Sequence, residues 1–169
     1  MATSSLIQSL DATYTDGTSV GLTPSNRRIE ETFIASSAIT VGQWVALDLT
    51  VANSDGDKSL KVVPADGNAA AGSGPPAITS TASIVVGVAL TAAAAGGKVE
   101  VVTRGMCEAS VTETGAGIAV GDALQISNTA GVAAITTGAL VPVCGFLVDA
   151  LAAAAGTATR TVYVRANWS

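Results

Sequence analysis

The feature that most constrains this chain is an internal duplication. Residues 83–105 read SIVVGVALTAAAAGGKVEVVTRG, and a near-copy, VCGFLVDALAAAAGTATRTVYVRAN, occupies residues 143–167. Val85, Val86, Gly87 and Val88 match Val143, Cys144, Gly145 and Phe146. Ala92 to Gly96 match Ala152 to Gly156 after a two-residue insertion, and an Arg closes each copy, at Arg104 and Arg165. Each copy is an apolar run, a turn of small residues, then a run with period-two character: strand, turn, strand.

The echo extends upstream. Ile39-Thr40-Val41-Gly42-Gln43-Trp44-Val45 resembles Ile118-Ala119-Val120-Gly121-Asp122-Ala123-Leu124. A short strand candidate follows in each half, at residues 60–64 and 131–136. The chain therefore predicts two tandem four-strand units, spanning about residues 39–105 and 118–167. Two copies are too few for a solenoid. The expected fold is all-β, a single barrel or sandwich body built from the two units, with an extended N-terminal arm. The expected division is an arm at residues 1–28 and a β-rich body at 29–169.

Composition bears on what such a body can do. Hydrophobic residues make up 49% of the chain, yet aromatics are only 4% and much of the rest is Ala. Ala buries little area at roughly 25 cal/mol per Å², so the core is thin and association is expected to add stability. Charged residues are 12%, against roughly 25% in ordinary soluble domains. A surface of Thr, Ser, Ala and Gly suits contact with other protein. The net charge of −5 argues against nucleic acid, which needs a basic footprint. The start, MATSSLIQSL, has no signal-peptide pattern, and no window of apolar residues is long enough to span a membrane. Cys107 and Cys144 read as small buried apolar groups, with a mutual disulfide as the other reading.

The first 24 residues lack clean periodicity. Leu6, Ile7, Leu10 and Tyr14 are scattered apolar anchors, suited to docking on a partner; a terminus without a role is the alternative. The densest charge follows, in Asn26-Arg27-Arg28-Ile29-Glu30-Glu31, leading into a strand. It reads either as an orientation-setting contact or as a solvated strand face. Residues 53–57 (NSDGD) form a turn without the spacing of a calcium loop. Residues 65–80 are rich in Gly and Pro and read as a surface loop. Residues 128–131 connect two short strands.

Catalytic chemistry has little to draw on. The chain has no histidine, and two distant cysteines make no zinc site. There is no Gly-x-Ser-x-Gly elbow, P-loop or HExxH. Asp48, Glu100, Glu108 and Asp122 are carboxylates whose spacing implies no pairing. No enzyme activity, cofactor or metal is expected.

Residues 25–48 (SNRRIEETFIASSAITVGQWVALD), the run VVGVALTAAAAGGKVEVVTRG, and Ala123-Leu124 followed by Asn128-Thr129-Ala130-Gly131-Val132 together resemble the capsid decoration, or cement, proteins of tailed bacteriophages. The resemblance covers about residues 25–168; the long loop at 65–80 and the arm depart from the pattern. It implies a structural protein on the outer capsid surface of the virion, made in the host cytoplasm. Its partner would be the major capsid protein, at junctions between subunits, and its role stabilisation against DNA pressure. A homo-oligomer is implied, a trimer first and a dimer second, with no nucleic acid or membrane partner. Under this reading Leu6, Ile7, Leu10, Tyr14, Arg27 and Arg28 engage the capsid. Trp44 and Trp168 pack in the core or at the oligomer interface. The alternative function is a surface knob or head-fibre module that binds host surfaces or glycans.

Overall fold

The computed structural model describes residues 28–50, 59–67, 84–113, 115–135, 143–153 and 155–165. They form an all-β body of nine strands: β1 (Ile29–Ala35), β2 (Trp44–Leu47), β3 (Lys61–Pro64), β4 (Val85–Ala89), β5 (Lys98–Thr112), β6 (Ala123–Ile126), β7 (Ala133–Ile135), β8 (Gly145–Leu147) and β9 (Thr157–Arg165).

The pairings close twice. β1 runs parallel to β3, and β3–β2, β2–β4, β4–β5 and β5–β1 are antiparallel, which returns the circuit to its start. The second circuit repeats it: β5 is parallel to β7, and β7–β6, β6–β8, β8–β9 and β9–β5 are antiparallel. Each four-strand unit thus closes a five-stranded ring with one strand from upstream of it, β1 in the first ring and the second half of β5 in the second, so that β5 belongs to both. At 15 residues β5 is long enough for this. Its first half pairs with β1 and its second half with β9, and Arg104 faces Ile29 on one side and Arg165 on the other. Within β5, Gly105 has φ +114°, a conformation open to Gly, at the point where the strand passes from one ring to the next. The sequence suggested a unit boundary at this glycine; the backbone continues through it as strand.

Closure explains the VxG pattern. A small ring forces neighbouring backbones close together. A Cβ on Gly87 of β4 would lie 1.9 Å from the Val102 carbonyl oxygen. A Cβ on Gly145 of β8 would lie 2.6 Å from that of Tyr163. The two glycines are equivalent in the duplication, since Gly87 faces Val45 and Gly145 faces Leu124 at matching registers.

The core has two parts. Inside the first ring lie Phe33, Ile39, Val45, Val62, Val86, Val99 and Val101. The larger cluster fills the second ring with Ile118, Leu124, Leu147, Leu151, Val162 and Val164, and extends into the seam between the rings through Trp44, Val85, Val88 and Val102. β4 is buried along its whole length because Val86 and Ala89 face the first ring while Val85 and Val88 face the seam. That two-sided burial accounts for an apolar run without alternation. β1 is the opposite case. Residues 29–32 are exposed and only Phe33 and Ala35 are buried, so Glu30 and Glu31 stand on the open face of the strand.

Candidate functional site

No candidate site arises from the carboxylates among the described residues. Asp48 accepts hydrogen bonds from the Thr50 amide (3.0 Å) and hydroxyl (2.6 Å). Burial pushes its pKa up, but the hydrogen bonds from Thr50, the neighbouring Ser36 hydroxyl and the charge of Lys61 outweigh this and lower it. It lines a cleft of about 270 Å³ with Ser36, Leu47, Leu49, Thr50 and Val63, and among the described residues no other ionisable group lines that cleft. Asp122 serves a turn, its Oδ2 accepting the Ala119 amide at 2.8 Å, just as the Gln43 side chain accepts the Thr40 amide at 2.9 Å in the first unit. Glu100 and Glu108 are exposed on β5. Glu113 is buried and accepts the amides of Gly115 and Gly117, which fixes the turn after β5. Among the described residues no cluster of His, Cys, Asp and Glu could hold a metal ion. Cys107 and Cys144 are buried free thiols, matching the apolar reading rather than the disulfide.

The side chains expected to act in docking fall in different places. Leu6, Ile7, Leu10, Tyr14, Arg27 and Trp168 lie outside the described residues. Arg28 stands just before β1 and forms an ion pair with Glu30. Trp44 has no exposed surface and packs in the seam, so core packing rather than a subunit interface describes it.

The outer surface offers two features that follow the duplication. Val41 and Val120, at equivalent turns, are the most exposed of the described large apolar side chains, at 62% and 65%. The second feature is the face where β1, β5 and β9 lie side by side. Cross-strand partners in an antiparallel pair present their side chains on the same face. Arg104 faces Arg165, and two residues along, Met106 faces Tyr163. Arg104 and Arg165 are exposed, Tyr163 is half-buried, and Met106 is among the exposed large apolar residues. Ile29, half exposed, flanks Arg104 from β1. Neither arginine has an ion-pair partner among the described residues. The sequence signal for this face was the Arg that closes each copy; that the two stand directly opposite each other depends on a pairing of strands far apart in sequence.

In the solved structures, one similar chain is the N base of the head fibre gp8.5 of bacteriophage phi29, at 20% sequence identity and a TM-score of 0.45, covering 81% of this chain and 93% of that one. Among curated proteins nothing matches. The family model described as phage cement protein matches residues 23–166, which takes in the whole nine-stranded body. With the duplicated rings and the match spanning both, the chain belongs to the phage cement protein family, structural proteins of the phage head.

Proposed function

We propose that this protein is a non-enzymatic staple. It binds the outer surface of an icosahedral phage head at junctions between major capsid protein subunits and stabilises the shell against the pressure of packaged DNA. The observation that carries the reading is the family match across both rings. The physical character of the body supports it. Each ring is closed, so neither leaves a free sheet edge within its circuit, and the body is suited to bearing load at its surface rather than to opening around a ligand. A ligand that binds only the assembled shell stabilises it by mass action, by about 2.7 kcal/mol per site when free ligand is about 100 times its Kd. Many such sites add up without catalysis.

In this reading residues 1–28 form an arm that docks on the shell through Leu6, Ile7, Leu10, Tyr14 and the Arg27-Arg28 pair, its ordering cost falling due on binding. The body associates with itself, as a trimer in the first instance.

The test is saturation binding of the full chain to expanded, empty heads, with and without residues 1–28, beside its mass in solution. Saturation at hundreds of copies per head supports a cement protein. A few copies per head, or affinity for a host-surface glycan instead, overturns it in favour of a head-fibre module. Binding lost on truncation, with the body still folded, assigns docking to the arm; binding retained assigns it to the body.

A further inference from the structure

We infer that the face shared by β1, β5 and β9 is a docking surface for a carboxylate-bearing segment of the major capsid protein, with Arg104 and Arg165 as its paired anchors. The inference rests on the cement reading and names the chemistry of one contact within it.

Like charges directly opposite on neighbouring strands cost stability. The chain has only 8 Lys and Arg residues, yet two of the arginines stand in direct register, exposed and without an ion-pair partner among the described residues. Two arginines in direct register, each with a planar fork of donors, can converge on one carboxylate with charge-assisted hydrogen bonds. Around the pair lie Met106, Tyr163 and Ile29, side chains that supply apolar contact area beside the charge. Arg, Tyr and Met are residue types enriched at protein interfaces.

The setting selects the partner. A two-fold pairing of this face with a second copy would place two arginines against the same two arginines. Nucleic acid is disfavoured because the pair sits on a chain of net charge −5. An acidic segment on a different protein, the shell subunit, meets the cations without either difficulty.

The experiment compares the wild-type chain with Arg104→Gln, Arg165→Gln and the double variant, measuring thermal unfolding, solution mass and the Kd for expanded heads at low and moderate salt. The expected result has opposite signs. The double variant unfolds about one to three degrees higher, because a like-charge repulsion is relieved, while its Kd for heads rises roughly thirtyfold or more and loses most of its salt dependence. The double Lys variant keeps part of the affinity, since charge remains while the fork geometry is lost. Wild-type affinity in the double Gln variant overturns the proposal. So does a lower unfolding temperature, which would mean that the arginines are paired within the chain, and so does a change in solution mass, which would make the face a contact between copies. If the wild-type chain itself fails to bind heads, it is the cement reading that fails.

Discussion

The indole N–H of Trp44, on β2 of the first ring, donates a hydrogen bond to the carbonyl of Ser110, on the half of β5 that belongs to the second ring, at 3.1 Å. The main chain around it ties the same seam. The Trp44 amide donates to the Gly131 carbonyl, the Ala65 amide to the Trp44 carbonyl and the Gly131 amide to the Ala65 carbonyl. The ring of Trp44 also reaches Gly145, where a Cβ would lie 3.0 Å from Cη2. The side chain of Trp44 thus joins the shared strand β5 and these backbone bonds in tying the two rings into one unit.

Trp44→Ala should therefore cost about 3–5 kcal/mol, the range for removing a large buried aromatic. Trp44→Phe keeps most of the volume but leaves the Ser110 carbonyl without its indole donor, a loss of about 1–3 kcal/mol. Urea unfolding measures both. A surface tryptophan would change stability by well under 1 kcal/mol, roughly, and such a value would contradict the seam placement.

The two ring-closing glycines give a paired prediction. Gly87→Ala places a methyl group 1.9 Å from a backbone oxygen, and Gly145→Ala places one at 2.6 Å from the equivalent oxygen. Neither neighbour is a flexible side-chain end, so β4 or β8 must shift and its ring distorts. About 3 kcal/mol or more is expected for Gly87→Ala and somewhat less for Gly145→Ala. Gly96→Ala is the control. It has φ +80° with nothing within 4 Å of the added Cβ, so only backbone strain of about 1–2 kcal/mol applies. The order Gly87, Gly145, Gly96 in soluble yield and urea midpoint is the expected outcome.

These positions also mark what the sequence made legible. The duplication, the VxG strands, the small-residue turns and the terminal arginines are local patterns, visible because a strand repeats every two residues and a copied unit repeats its turns. Gly87 and Gly145 were visible as a shared pattern, although their reason, contact with a backbone oxygen on the next strand, is a property of the closed ring. The continuity of β5 was hidden because a glycine ordinarily punctuates a strand, and Gly105 here only bends one. The parallel pairings β1–β3 and β5–β7 leave no mark in either strand. Trp44 could be read as core or interface from its type alone; Ser110, 66 residues away, decides the matter. The Arg104–Arg165 register was likewise half legible: the residues repeat, but their pairing is tertiary.

The equivalent turns allow a test of independence between the units. Gln43 accepts the Thr40 amide and Asp122 the Ala119 amide, in separate rings and with different acceptors. Gln43→Ala and Asp122→Ala should each cost about 0.5–1.5 kcal/mol. Because the two bonds share no partner, the double variant should equal the combined single losses within about 0.5 kcal/mol. A larger interaction energy would mean that the turns communicate through the seam.

Stability should fall at alkaline pH through the two thiols. Burial pushes the Cys107 thiol up to about 12; the nearby Arg28 lowers it and Glu108 raises it by lesser amounts. Cys144, more deeply buried and with its Sγ–H directed at the Leu124 carbonyl, is also raised, chiefly by burial. In the unfolded chain both thiols titrate near 9.0. Below that pH both states hold the proton and the thiols contribute no pH dependence. Above it the unfolded chain releases protons that the folded chain keeps, so stability declines as pH rises from about 9 towards 12. At one unit above the unfolded value the loss is about 1.4 kcal/mol per thiol. Urea unfolding of the wild type between about pH 8 and 10 should show this decline, and the Cys107→Ala, Cys144→Ala double variant should show a shallower one, whatever its starting stability. Parallel declines in the two proteins would assign the effect to other groups. The same burial predicts that a thiol reagent labels neither cysteine in the folded chain near pH 8 at a rate approaching that in urea, since reaction needs both access and the thiolate.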